Sequence, residues 1–265
     1  MLLDSGKVFW LEKNIACDIL PRPGQEHLAP LVHLPDFDYV LQPLESREKK
    51  LLISDMDSTM IQQECIDELA DLVGKKAEVA AVTERAMNGE LDFKDALRAR
   101  VALLEGLTSA DLERVYRERI TLMPGARTLV KTMKARGVLT VLVSGGFSFF
   151  TSRVAKTIGF DRDEANTLDM KDGKLTGKVH EPILDKDAKR ATLMNMAAQH
   201  KIPLSATLAV GDGANDLPML QEAGLGVAYH AKPVVRAQVK AQIQFNDLSA
   251  LLYVQGIPRK DWLEV

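Results

Sequence analysis

Short, mostly apolar runs recur along the second part of this chain, at Leu51–Leu52–Ile53, Val138 to Val143, Thr207 to Val210 and Leu225 to Ala228. Each is long enough for a buried strand and too short for a buried helix. Segments with three- and four-residue apolar spacing lie between them. The spacing predicts helices over 125 to 136, closed by Gly137, from about Phe147 to Ile158, from a cap at Asp187 to about Gln199, and from Leu217 to Ala223. Strands alternating with helices predict an α/β fold with a doubly wound parallel sheet. From Gln62 to Ile120 the pattern is helical throughout, with Gly74 and Gly106 suited to helix ends and Thr108 with Asp111 to a capping box. That block interrupts the alternation directly after the first strand. It is expected to be a helical cap inserted at the strand ends, where ligands bind in such sheets.

Residues 1 to 46 differ from the rest. Val8, Phe9, Trp10 and Leu11 suit a strand, but Pro21, Pro23, Pro30, Pro35 and Pro43 break up the remainder. The expected organisation is a short appended segment at 1–46, a catalytic core at 47–61 and 122–265, and the cap at 62–121.

Composition narrows the partners. Lys plus Arg number 34 against 37 Asp plus Glu, a net charge of −3, which argues against an extended nucleic-acid or anionic membrane surface. No apolar run approaches a membrane span, and Met1 to Trp10 carries Asp4 without a basic flank and a long apolar stretch, so it does not read as a signal peptide. Cys17 and Cys65 are too few for a disulfide framework, so a reducing, cytoplasmic location is expected.

The chemistry sits at the strand ends. Asp55 and Asp57, two residues apart in Asp55-Met-Asp-Ser-Thr59, point into one crevice. Two unit charges about 4 Å apart repel by roughly 4 kcal/mol at an effective dielectric near 20, so a metal, a shared proton or a cation must offset them. A strand-end Asp followed by a helix-capping Asp is the bland alternative. Asp212, between Gly211 and Gly213 at the next strand end, has no local task and suits a Mg²⁺ site shared with Asp55. Asn215 and Asp216 can equally be the cap and first turn of a helix. Ser144-Gly-Gly146 can cradle phosphate oxygens or form an ordinary tight turn. Lys189, in a helix's first turn, is either solvated or a cation aimed at the crevice, and three nearby carboxylates favour the second. Arg100 lies on one helical face with Phe93, Leu97, Val101 and Leu104, either snorkelling to water or gripping a substrate anion. Glu64 could meet an ammonium or simply be a surface residue.

The strings Asp55 to Thr59, Ser144 to Phe147, Lys189 and Gly211 to Asp216 resemble, in order and approximate spacing, the haloacid dehalogenase-like phosphatases. Gln63 to Ala70, Glu84 to Phe93 and Leu97 to Val101 resemble the bacterial phosphoserine phosphatases within that group, and the likeness covers about residues 50 to 250. It implies a Rossmann-like core with a cap and a Mg²⁺-dependent phosphatase releasing L-serine and phosphate from O-phospho-L-serine, the last step of serine biosynthesis. Asp55 would be the nucleophile that forms an aspartyl-phosphate, and Asp57 the acid and then the base. Asp55, the Asp57 carbonyl and Asp212 would hold Mg²⁺, with Asp216 supporting them. Ser144, Gly145 and Lys189 would bind phosphoryl oxygens, with Asn215 nearby. Glu64 would meet the ammonium and Arg100 the carboxylate, with Met87 and Phe93 closing the pocket. Some relatives carry amino-terminal domains able to bind amino acids. Residues 1–46 are too short for a complete one, and are expected to dock on the core or to mediate a homodimer. The rival readings are a phosphatase or phosphotransferase acting on phosphohomoserine, a phosphoryl-accepting receiver, and an inactive binding module.

Overall fold

The structure, a computed structural model, describes residues 7–20, 36–88 and 90–264, with the Met87 side chain excepted. Lys7–Glu12 (β1) and Ala16–Leu20 (β2) pair as an antiparallel hairpin. The hairpin is tied to the core by Arg47, whose two Nη groups donate to the Asp18 carboxylate at 2.6 Å each, while Nε donates to the Val254 carbonyl at 2.9 Å. The Tyr253 hydroxyl donates to Glu12, and Asp38 accepts from the backbone N–H groups of Gln244, Phe245 and Asn246. Four of the five prolines lie outside the described residues.

Leu51–Ser54 (β3) opens the main sheet and is fully buried. The helical insertion follows as α1 (Cys65–Leu72), α2 (Lys76–Met87), α3 (Phe93–Ala102) and α4 (Ser109–Glu118). Thr108 and Asp111 make the expected capping box on α4. The chain enters and leaves the insertion at one neck. Ile61 and Leu122 form an antiparallel bridge, Gln62 N–H donates to the Thr121 carbonyl at 3.0 Å, and Met123 N–H donates to the Met60 carbonyl at 2.9 Å.

The core then continues through α5 (Ala126–Ala135), β4 (Leu139–Phe147), α6 (Ser148–Ile158) and β5 (Arg162–Asn166), followed by a hairpin of β6 (Leu168–Lys171) and β7 (Lys174–Val179). After it come α7 (Lys186–Gln199), β8 (Thr207–Gly211), α8 (Leu217–Glu222), β9 (Leu225–Tyr229), α9 (Pro233–Arg236), β10 (Ala241–Ile243) and α10 (Ala250–Val254). The six-stranded sheet has the order β10-β9-β8-β3-β4-β5 and every pairing is parallel. Successive residues of its strands face opposite cores. Leu52, Leu142 and Leu208 pack with Leu129, Phe150 and Leu251 on one side, while Leu51, Ile53, Val141 and Ala209 pack with Leu193, Met219 and Val235 on the other. Helices therefore cover both faces. The winding reverses between β3 and β8, so the crevice beyond their carboxyl ends is where an open α/β sheet binds its ligand.

Two local expectations are corrected. Asp185, not Asp187, caps α7, its Oδ1 accepting from the backbone N–H groups of Asp187 and Ala188 at 3.1 Å each. Asp187 instead sits in the first turn, where the helix dipole favours its charge. The Ser144-Gly145-Gly146 segment is not a turn but the end of β4. The ladder to β5 shifts register between Ser144 and Phe147, so Gly145 and Gly146 form a bulge.

Candidate active site

Asp55 leaves β3 with its N–H donating to the Val210 carbonyl at 3.0 Å, so the sheet ladder sets where its side chain begins. Its Oδ1 accepts from Met56 N–H at 2.7 Å and from Lys189 Nζ at 2.8 Å. No residue among those described hydrogen-bonds Oδ2. Asp57, two residues on, accepts on Oδ1 from Cys65 N–H at 3.1 Å, in the first turn of α1, and on Oδ2 from the Ser144 hydroxyl at 3.4 Å. The next two residues hold partners that sequence reasoning missed. Ser58 adopts a left-handed backbone, φ 54°, and donates to Glu64 Oε1 at 2.6 Å, while Thr59 donates to Asp212 Oδ1 at 3.0 Å. Their only sequence signal was membership of the same pentapeptide.

Asp212 follows β8 across the switch point. Behind it, Asp216 accepts on Oδ2 from the N–H groups of Asp212 and Gly213, at 3.2 and 3.0 Å, and on Oδ1 from Lys189 Nζ at 2.7 Å. Only glycine fits at 211, because a Cβ there would come within 2.5 Å of the Asp216 carboxylate. Asp55, Asp212 and Asp216 each offer an oxygen, all within 4.8 Å of one another and all buried. Such a hard-oxygen cluster fits a divalent cation. Both oxygens of Asp216 are already bonded, whereas Asp55 and Asp212 each keep an oxygen with no hydrogen-bond partner among the described residues. The donor set thus favours Asp55 and Asp212 as the ligands, with Asp216 orienting the loop.

The Gly145–Gly146 bulge takes two residues out of the sheet ladder and is braced by Asn166, whose Nδ2 donates to the Gly145 carbonyl at 2.8 Å. It is close-fitting. A Cβ on Gly145 would meet Phe93 Cζ at 2.7 Å, and one on Gly146 would meet Asp57 Oδ2 at 2.7 Å. Gly146 N–H donates to the Ser144 hydroxyl at 2.8 Å, orienting it.

The insertion closes the crevice into a cavity. Its floor is Asp55, Asp57 and the Ser144–Gly146 bulge; its walls are Glu64, Phe93, Arg100 and Asn215. Asn215 Oδ1 is buried with no partner among the described residues. Met87 ends α2 nearby, and its side chain lies outside the described residues. Lys189 lies beneath the floor, fully buried rather than solvated, bonded to Asp55 and Asp216.

Asp55, Asp57, Glu64, Asp212 and Asp216 thus gather around two cations, Lys189 and Arg100. Burial, then Asp216, raises the Asp55 carboxyl to about 7 against the pull of Lys189. Burial, then Asp55, raises Asp57 to about 6, and burial, then Asp57, raises Glu64 to about 8. Burial and then Asp216 likewise raise Asp212. Burial lowers the Lys189 ammonium, but Asp216 and Asp55 outweigh it and leave Lys189 above its ordinary value. The site holds more acid than its own cations neutralise, and Asp55, Asp57, Glu64 and Asp212 are poised to take a proton or a cation.

Comparison with known proteins agrees with this geometry. The family model for haloacid dehalogenase-like hydrolases matches residues 52–221. The chain belongs to the haloacid dehalogenase-like hydrolases. Among curated relatives in that family, the phosphoserine phosphatase of Polaromonas sp. is 50% identical over 214 residues, spanning 79% of this chain and 91% of the relative. That of Streptococcus thermophilus is 49% identical over 209 residues, spanning 79% and 97%. Among solved structures, a phospho-aspartyl intermediate analogue of phosphoserine phosphatase superposes with TM-score 0.74 at 41% identity, covering 78% of this chain and 98% of that one. A substrate-bound phosphoserine phosphatase gives TM-score 0.75 at 40% identity over the same shares. As a haloacid dehalogenase-like hydrolase the chain is an α/β phosphatase with a helical insertion at its strand ends. No helix among the described residues is long and apolar enough to cross a membrane.

Proposed function

We propose that this enzyme hydrolyses O-phospho-L-serine to L-serine and phosphate, with Mg²⁺ as its divalent cation. The observation that carries the reading is the charge layout of one cavity. Its floor holds Asp55 and the Ser144–Gly146 donors, and its walls hold a cationic Arg100 and an acidic Glu64. Phosphoserine presents a phosphate, a carboxylate and an ammonium, one for each feature. The names of the relatives point the same way.

A carboxylate oxygen of Asp55 attacks phosphorus; the ester P–O bond breaks and its electron pair leaves with the serine oxygen. That oxygen takes the proton of Asp57, whose carboxyl is held above its ordinary value by burial and by the neighbouring Asp55. In the second step Asp57 takes a proton from water as the water attacks the aspartyl-phosphate, and Asp55 is regenerated. Asp55, the Asp57 carbonyl and Asp212 would hold Mg²⁺, which when bound would supply the positive charge that lets a phosphate dianion approach a carboxylate. Lys189 adds to it from below, and the Ser144 hydroxyl with the Gly145 N–H receives the phosphoryl oxygens. Residues 62–121 act as the cap and 1–46 as an appended segment. Two free thiols, Cys17 and Cys65, suit a cytoplasmic enzyme of serine biosynthesis.

The test measures phosphate release from L-phosphoserine, phosphohomoserine and phosphothreonine, with chelator and then with Mg²⁺ restored. Expected are a preference for L-phosphoserine, loss of activity on chelation, and none in Asp55→Asn with the fold intact. Equal rates across the panel would overturn the substrate, and turnover by Asp55→Asn the nucleophile.

A further inference from the structure

Arg100 is 5% exposed, yet none of its hydrogen bonds among the described residues is to a carboxylate. Of its five N–H groups, Nε donates to the Ala96 carbonyl at 3.0 Å and Nη1 donates to the Thr83 hydroxyl at 2.8 Å, both neutral acceptors. Burial pushes the guanidinium down, and Glu64, Asp67 and Asp57 oppose this through space. A long, rotamer-rich side chain in this position needs something to hold its fork toward the cavity it lines.

Thr83 does that, and Asp67 holds Thr83. The Thr83 hydroxyl lies 2.8 Å from Asp67 Oδ1 and 3.0 Å from the Val79 carbonyl one turn back. It has one proton to give. The carboxylate is closer and charged, so the proton goes there and the lone pairs remain for Arg100. The chain Asp67–Thr83–Arg100 runs from α1 through α2 to α3, joining three helices of the insertion, with Thr83 and Arg100 lining the cavity. Burial raises the Asp67 carboxyl, with the Thr83 and Arg100 interactions opposing.

The geometry points to Asp67 and Thr83 as positioning residues that aim Arg100 at the substrate's carboxylate and so set selectivity for amino-acid phosphates. This rests on the phosphoserine reading above. Neither residue touches the reacting atoms; they act through the direction of the guanidinium fork, whose remaining N–H groups are the ones open to a ligand.

The test compares kcat/KM for L-phosphoserine with that for O-phosphoethanolamine, which keeps the phosphate and ammonium but lacks the carboxylate. Thr83→Val keeps the side-chain shape and removes the hydroxyl, Thr83→Ser restores it, and Asp67→Asn keeps an acceptor without the charge. Expected is a fall of about tenfold in the phosphoserine preference of Thr83→Val, carried by KM. Thr83→Ser should stay within about twofold of wild type, with Asp67→Asn between. Thermal unfolding shows which variants are folded, and if Thr83→Val is not, Asp67→Asn against Thr83→Ser decides. A wild type that discriminates, with an unchanged ratio in the folded variants or an equal loss on both substrates, overturns the relay alone. A wild type that does not discriminate overturns the phosphoserine reading, and the relay with it.

Discussion

Replacing Lys189 by Met keeps the length of the side chain and removes its charge, in a position with no exposure at all. The ammonium sits 2.8 Å from Asp55 and 2.7 Å from Asp216. At an effective dielectric near 20, each contact is worth roughly 6 kcal/mol of gross attraction. Much of that offsets the cost of burying three charges, so the measurable loss is smaller. Removing one partner of a buried pair costs about 3 to 5 kcal/mol, because the other charge is left uncompensated. Urea unfolding in the presence of chelator should therefore show Lys189→Met less stable than wild type by about that amount. A divalent cation should then stabilise the variant more than the wild type, since its carboxylates have lost their resident counter-charge. Phosphate release should fall even at saturating Mg²⁺. A chelated variant within about 1 kcal/mol of wild type would refute the claim that Lys189 neutralises this cluster.

Gly146→Ala would put a methyl 2.7 Å from Asp57 Oδ2 and 3.0 Å from the Ser144 hydroxyl; displacing the proton carrier by that much should lower kcat about a hundredfold while melting barely changes. Asp161 accepts from Thr140 N–H and Oγ1 at 2.9 Å each and pairs with Lys134 at 2.8 Å; burial raises its carboxyl, but these contacts outweigh it and leave it lowered. Its contribution is therefore present above the unfolded value near 4 and lost as pH falls through the folded one. Asp161→Asn should cost about 1 to 2 kcal/mol at pH 7 and much less at pH 3, by urea unfolding. Arg47→Ala should free the β1–β2 hairpin for protease cleavage while leaving kcat unchanged; unaltered cleavage would show that the Tyr253–Glu12 contact suffices to hold it.

Much of this architecture was legible because burial and periodicity coincide in the central strands. Leu51–Ile53 and Leu208–Val210 are fully buried, so their apolar runs announce them. β5 was missed because Arg-Asp-Glu-Ala-Asn carries no apolar run; it is an edge strand held by pairing with β4. The β6–β7 hairpin had a readable signal that went unused, the Asp172-Gly173 pair, both with positive φ. A bulge could not be told from a turn at Gly145–Gly146, because the difference lies in the register of the neighbouring strand. Asp55, Asp57 and Asp212 were legible because a carboxylate at a buried strand end is costly without a purpose. Thr83 was not, since a threonine in a helix is ordinary until Asp67 and Arg100 are brought to it from two other helices.

The neck bears on how the chain comes together. β3 must find β4 across residues 55–138, a long loop to close. Once α1–α4 have packed and the Ile61–Leu122 bridge has formed, the insertion counts as one short link. The separation left to close shrinks by roughly two halvings, worth about 1 kcal/mol of chain entropy. Changes of length inside the insertion would hardly alter the assembly of the sheet, so selectivity could be rebuilt above the neck while Asp55 and Asp212 stay in register below it.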